Sequence, residues 1–435
     1  MKKKYGLLLA VTALVLAGLS CQLPWETETT PVGVTVTSAS ETVPEIETEE
    51  VIETETEMET ETETEAFLET EEITETEAPE VTESEEATPS LPVFSSPEIF
   101  SIAMFTPTQG WAMTRDGNYL LFTADGGQTW LDATPSGLHP LPSGITSLSI
   151  QPFFLDEQSA WFTPNSTTSG TLYHTQDSGV TWTATTLPFL NARYFFLNLN
   201  AGFALVDLGA GAGSHYVAIY RTMDAGGTWT EVFAHEPGES KSLPESGTKN
   251  GLTFLDVNYG WVGGSIPMTD HFHFYTTSDG GATWSQETDI SLPAIYADVF
   301  LDVWQPFFMN NTVGYLPIRA MATDGTVYLM VYRSSDGGQT WSFKNAVPDG
   351  SAMDFYSIDG GWMAADTGLF HTTDGGAAWS PASIGGIAAG EVILKVDFAD
   401  GQHGWVVTTP DESTYIPLKL YRTIDGGTTW MQLVP

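Results

Sequence analysis

The chain has 435 residues, with 56 Asp and Glu against 14 Lys and Arg and a formal net charge of −42. Such acidity excludes nucleic acid, whose phosphates require a basic surface. A single cysteine excludes a fold held by its own disulfides. Charge is unevenly spread, and three segments of different material follow one another.

Residues 1–21 are the first. Lys2, Lys3 and Lys4 precede an apolar run from Gly6 to Leu19, and Ser20-Cys21 follow. A basic start, an apolar stretch short for a membrane helix and a small residue before the cut read as an export signal. Cys21, directly after Leu-Ala-Gly-Leu-Ser, resembles the cleavage site of a bacterial lipoprotein signal. The resemblance implies cleavage before Cys21, lipidation of its thiol and an extracytoplasmic, membrane-anchored protein. Gly18 stands where such signals usually carry Leu, so ordinary secretion and an uncleaved anchor stay open.

Residues 22–95 contain 23 Glu and no Asp, Lys or Arg, largely as alternating Glu-Thr. Few large apolar side chains are present to offset the entropy of ordering. Strands made of this segment would stack like charges on one face. A disordered linker is expected, with an end-to-end distance of about 45–50 Å before charge repulsion extends it.

Residues 96–435 hold 33 acids against 11 Lys and Arg, a net charge near −22. One phrase repeats through them, stated most plainly as Tyr-Arg-Thr-Ile-Asp-Gly-Gly-Thr-Thr-Trp at 421–430. Its acid recurs as Asp125, Asp177, Asp224, Asp279, Asp336, Asp374 and Asp425. Five residues later stands Trp130, Trp182, Trp229, Trp284, Trp341, Trp379 or Trp430, two residues later always Gly, and two before always a hydroxyl. The apolar pair four and five before the Asp suits a buried strand, the Asp and glycines suit a tight turn, and the indole fills a gap between sheets.

Upstream of each turn lies an echo of Gly or Ala plus an aromatic: Gly110-Trp111, Ala160-Trp161, Gly202-Phe203, Gly260-Trp261, Gly314-Tyr315, Gly361-Trp362 and Gly404-Trp405. An apolar strand precedes each echo. The unit reads as four antiparallel strands, and seven such units predict an all-β fold, a seven-bladed β-propeller, with an open stack or β-helix as the alternative. Each blade is expected to be contiguous, with closure by packing of the last blade on the first.

The pattern Ser/Thr-x-Asp-x-Gly-x-Thr-Trp resembles the Asp-box, or BNR, repeat of sialidase-like propellers. With the Gly-Trp echo, residues 96–435 are most similar to the photosystem II stability/assembly factor family. The resemblance implies the propeller and an assembly or binding role. Ala378 departs from it in place of Thr, as do Ser178 and Ala225 in place of the first Gly.

Turns between first and second strands share a face with the Asp-box turns, and both are uniform. Loops between second and third strands vary, as does the linker 235–251, so recognition is expected on that opposite face. Arg221, Arg333 and Arg422, with His174 and His371, hold one repeat position and read as structural. Arg115, Arg193 and Arg319 map to the variable face and are the candidate ligand-binding residues, for carboxylates on a sugar or a protein. Scattered surface charge is the plainer reading of the three.

An enzyme reading finds less support. The Arg-Ile-Pro motif that the sialidase resemblance would require is absent. Face acids are plentiful (Asp116, Asp270, Asp324, Asp366, Asp411, Glu412), but no spacing singles out an acid/base pair. His271 and His273 read as strand positions, and the runs at 152–154 and 304–308 as inter-blade packing or, if exposed, as a platform for a ligand. The expectation is a monomeric binding or assembly module for a protein or glycan. It touches the membrane through lipid alone, and no catalytic residue, metal site or cofactor is assigned. A glycan-cleaving enzyme is the alternative.

Overall fold

The computed structural model describes residues 90–139, 151–164, 170–236, 239–287, 289–366, 368–411 and 413–434. The export signal with Cys21, residues 22–89 of the acidic segment and Glu412 lie outside them. Among the described residues there are 29 strands, two short 3-10 turns and no α-helix.

Each repeat folds into strands that pair antiparallel in chain order. In the first repeat these are Ile99–Met104, Gly110–Thr114, Leu120–Thr123 and Leu131–Asp132. Repeats one, two, three, six and seven are separate four-stranded sheets, whereas repeats four and five share a nine-stranded one. That fusion departs from the expected set of separate blades, and strand length explains it. The second strand of repeat four, Gly260–Thr269, runs ten residues and overshoots its own neighbours. Its free edge pairs with Val299–Val303, through Ser265 opposite Asp302 and Thr269 opposite Phe300. The first strand of repeat five is itself broken into Val299–Val303 and Phe307–Phe308, with Pro306, which has no N–H to donate, in the gap.

The Asp-box is a network that satisfies its own turn. Thr123 Oγ1 donates to Asp125 Oδ1 at 3.0 Å and accepts the Gly127 N–H at 2.8 Å. Asp125 Oδ1 accepts the Thr129 N–H at 2.9 Å, and Oδ2 accepts the Thr129 hydroxyl at 2.7 Å. The same four bonds recur in repeats two, three, four, five and seven. Repeat six keeps three, because Ala378 offers only its N–H, at 2.9 Å from Asp374 Oδ1. The two glycines after Asp125 adopt φ of 75° and 87°. Ser178 and Ala225 take the same left-handed conformation, at 58° and 61°, where a Cβ is strained.

The echo explains itself in the packing between sheets. A Cβ at Gly314 would approach Phe308 to 2.6 Å, and one at Gly361 would approach Phe355 to 2.7 Å. Glycine therefore lets the aromatic of the first strand lie across the second. That ring is in turn stacked by the echo aromatic of the preceding repeat: Trp161 on Phe196 at 4.0 Å, Phe203 on Phe254 at 3.5 Å, Trp362 on Phe398 at 4.5 Å. The Asp-box Trp of its own repeat meets it edge-on, as Trp229 meets Phe196 at 6.1 Å and 77°. Phe154 and Phe308 of the two aromatic runs occupy this position, against Trp111 and Trp261.

The last repeat makes the same kind of contact with the first. Trp405 Nε1 donates to the Gly126 carbonyl at 3.0 Å, and Arg422 Nη2 donates to the Pro107 carbonyl at 2.9 Å. Trp405, Leu420 and Leu433 share one apolar cluster with Met104, Leu121 and Trp130. Residues 431–433 pair with Leu420–Arg422 of their own repeat, so repeat seven supplies its own four strands. At the other terminus Phe94 N–H donates to the Trp130 carbonyl and Asp132 N–H to the Pro92 carbonyl, both at 2.8 Å. Residues 92–94, within the stretch read from sequence as linker, thus run along the outer edge of repeat one, and Phe94 packs on its core.

Candidate functional site

Hydrogen bonds assign the two ends of the strands. In every repeat the residue after the Asp-box Asp donates its N–H to a carbonyl of the turn between first and second strands: Gly126 to Thr108, Ser178 to Gln158, Ala225 to Asn200, Gly280 to Asn258, Gly337 to Thr312, Gly375 to Asp359 and Gly426 to Gln402. Both turns therefore sit at one end. Strand alternation sends the second-to-third loops and the inter-repeat connections to the other. The repeat-position arginines serve the first end. Arg333 pairs with Asp359 of the next repeat at 3.2 Å, and Arg422 reaches Pro107 and Asp125 carbonyls.

Two cavities adjoin and share Gln151 and Arg193 in their walls. The smaller lies at the non-repeating end, and the larger runs from there along the first strands to Asn310 and Asn311, in the first-to-second turn of repeat five at the Asp-box end. The smaller, about 250 Å³, lies among repeats two, three and four, against Thr163, Asp207, His215 and Lys249. The larger, about 710 Å³, is bounded by first strands of repeats two to five, with Tyr194, Phe195, Asn250, Gln305, Phe307 and Asn311 in its wall. Phe307 and Phe308 of the second aromatic run therefore have a face on open space as well as on a neighbouring sheet, whereas the first run contributes only Pro152.

Arg193 is exposed, and its Nη1 donates to the Asn250 carbonyl. Asn250 Nδ2 donates to Asp302 Oδ1, whose second oxygen accepts Trp304 Nε1–H at 3.2 Å. Arg319 stands across the ladder from Asp302, exposed and outside both cavity walls. Arg115 is bound elsewhere, its Nε 3.0 Å from Glu98 Oε2. Of the three candidate arginines, the structure brings Arg193 to a cavity and ties it to the strand pair that carries Arg319. It does not bring Arg115 to either.

Sequence reasoning missed the residues around Arg193. Lys249 is 2% exposed, and its ammonium donates to the carbonyls of His215, Ser246 and Gly247 at 3.1, 3.0 and 3.3 Å. Burial pushes it down to about 8, against the opposing charge of Glu245. His215 Nδ1 accepts the Lys249 N–H at 3.0 Å, which leaves Nε2 as the protonated nitrogen, 3.4 Å from Asp207 Oδ1. Burial holds the His215 ring below its ordinary value, with Asp207 opposing and Lys249 and Arg193 reinforcing the shift. His273 is fully buried and edge-on to Tyr275, and burial pulls it down to about 4. Two variable segments pointed here in the sequence: the linker at 235–251, which delivers Lys249 and Asn250, and the second-to-third connection of repeat three, which delivers Asp207 and His215.

The face acids have local duties. Asp116 accepts the Thr114 hydroxyl at 2.6 Å, Asp270 accepts the N–H groups of Asp298 and Val299, Asp324 caps Thr326, and Asp411 caps Ser413 and Thr414. A different pair of acids stands on first strands. Asp354 Oδ2 accepts the Phe398 N–H at 2.7 Å, and Asp397 Oδ2 accepts the Met104 N–H at 2.8 Å. Both side chains are half-buried. Burial raises both carboxyls, and the Asp354 charge raises Asp397 further.

No family model matches the chain. A xyloglucanase from Paenibacillus sp is 25% identical over 257 residues, which is 50% of this chain and 23% of that protein, so the chain spans under a quarter of that relative. Among solved structures, the GH74 xyloglucanase from Xanthomonas campestris superposes with a TM-score of 0.53 at 13% identity, covering 79% of this chain and 55% of its own. The structure of YCF48 bound to D1 peptide gives 0.48 at 16% identity, over 77% of this chain and 99% of that one. With its four-stranded antiparallel sheets, the chain is similar in fold to propeller-like proteins.

Proposed function

We propose that residues 96–435 form a closed seven-bladed β-propeller whose role is non-catalytic binding or assembly of a protein or glycan. The packing of the echo aromatics of repeats one to six on a ring of the next repeat supports seven blades, and the contacts of Trp405 and Arg422 with repeat one support closure. The disordered acidic linker and lipidated Cys21 would carry the propeller outside the cytoplasmic membrane, as a monomer without a cofactor.

One observation carries the binding role. Unlike residues converge once, where the smaller cavity, at the end at which the repeats differ, joins the larger one running along the first strands, with Arg193 in both walls. The wall of the larger cavity combines amides, phenyl rings and one guanidinium, groups that hold a ligand in place.

A glycan array and a pull-down from surface extracts, with the full-length chain in detergent, test the proposal. Saturable binding lost on Arg193→Ala supports it, and release of reducing ends from xyloglucan by the purified chain overturns it. The likeness to a xyloglucanase over half the chain keeps that enzyme reading in view. For the anchor, labelled palmitate should be incorporated by the chain and not by Cys21→Ser; equal labelling of both contradicts it.

A further inference from the structure

The smaller cavity reverses the charge of the surface around it. Residues 96–435 carry three acids for each Lys or Arg, yet this wall sets Arg193 and Lys249 against one carboxylate, Asp207, with His215 beside them as an N–H donor. The groups divide the work. Lys249 uses its three protons on backbone carbonyls and contributes a fixed positive field rather than a contact. His215 presents Nε2–H toward Asp207 at 3.4 Å, long for a hydrogen bond, so that donor is weakly engaged. Arg193 is held by one bond from Nη1 to Asn250, and among the described residues its Nε and Nη2 have no partner. A guanidinium fixed at one corner keeps a fork for a planar anion and loses little rotamer entropy on using it.

The adjoining cavity has different chemistry. Its wall offers Gln151, Gln305 and Asn311 amides beside Phe195, Phe307 and Phe308, with Arg193 the single cation. Amides donate and accept at once, as paired hydroxyls require, and phenyl faces cover the C–H side of a sugar ring. Many hydroxyls and few charges describe a glycan better than an acidic peptide, which would want a cation for every carboxylate.

We infer that the joined cavities take a uronate-bearing oligosaccharide, with one carboxylate on the Arg193 guanidinium and the adjoining sugar in the larger cavity. The inference rests on the binding role proposed for this end of the strands.

The test is calorimetry on the full-length chain with galacturonate and glucuronate oligosaccharides, their methyl esters, neutral xyloglucan oligosaccharides and a polyglutamate peptide. Binding of at least one uronate should weaken by about tenfold or more on esterification and again on Arg193→Ala, the loss of a charge-assisted pair. Arg193→Lys should fall between, and Lys344→Ala, a partly exposed cation outside both walls, should bind as the native chain does. Unchanged thermal unfolding of the Arg193 variants shows that the fold is intact. No uronate binding, equal binding of acid and ester, or indifference to Arg193→Ala overturns the inference. So does polyglutamate binding as tightly through Arg193. Binding of neutral oligosaccharides that survives Arg193→Ala overturns it while leaving a glycan-binding role for the fold.

Discussion

The two ends of the same strands obey different rules. At the Asp-box end, Thr123, Asp125 and Thr129 make bonds that five other repeats copy in full and the sixth repeat copies but for one hydroxyl. At the opposite end, Arg193, His215, Lys249 and Asn250 of repeats three and four share walls; the register position of Arg193 carries another cation in repeat seven alone, Lys395, which lies outside both walls. Recurrence marks what the scaffold needs seven times. A binding site needs unlike groups meeting once, and it lies where recurrence stops.

That contrast is sharpest in stability. Trp161 is fully buried, stacked on Phe196 at 4.0 Å and on His174 at 4.3 Å. Trp161→Ala should cost about 3–5 kcal/mol in urea unfolding. Leu208, half exposed at the bulge in the second strand of repeat three, Gly202–Gly211, should cost within about 0.5 kcal/mol when changed to Ala. Equal costs would break the comparison.

The next effect lies within the Asp-box. Thr123 is fully buried, and Thr123→Val leaves the Gly127 N–H without its acceptor. The expected loss is about 1–3 kcal/mol, read as a lower urea midpoint with unchanged slope. A change of slope instead would mean that the turn shapes the unfolded chain.

Acidity separates the regions again. All seven Asp-box carboxyls are held below their ordinary value; for Asp425 the Thr429 N–H leads, followed by the hydroxyls of Thr429 and Thr423. Their contribution is complete above the unfolded value of 3.8 and is lost as pH falls through the lower folded values. Asp354 and Asp397 are raised, so their contribution runs the other way: complete below 3.8, lost as pH rises through their folded values. Urea midpoints from pH 2 to 8 should therefore fall at the acid end. Asp354→Asn with Asp397→Asn should flatten the decline on the higher side alone; a flattened acid limb would contradict the assignment.

The smallest expected effect is a repair. Ala378→Thr restores the hydroxyl that Asp374 Oδ2 lacks and should raise stability by about 0.5–1 kcal/mol. A loss would show that repeat six tolerates no side chain beyond Cβ there.

The four strands per repeat were legible because each carries its own punctuation: an echo Gly under a Phe, a hydroxyl before an Asp, a Trp after the turn. The reason for the echo was not legible, since Gly361 and Phe355 meet only once both strands are paired. Fusion of repeats four and five escaped because it depends on how far Gly260–Thr269 overshoots, a matter of neighbours rather than composition. At the site, Arg193 could be singled out as a cation off the repeat pattern. Lys249 could not, because three carbonyls from 215, 246 and 247 converge on it only in the folded chain. The face acids drew attention by type, but Asp270, Asp324 and Asp411 were already committed to their own turns.

Hydrogen exchange on the full-length chain, with and without a saturating uronate oligosaccharide, tests the division of labour most directly. The account predicts slowed exchange confined to residues 151–152, 191–197, 207–217, 249–252 and 305–311, with the seven Asp-box turns unchanged. Protection concentrated at the Asp-box turns, for example over 425–430, would contradict it.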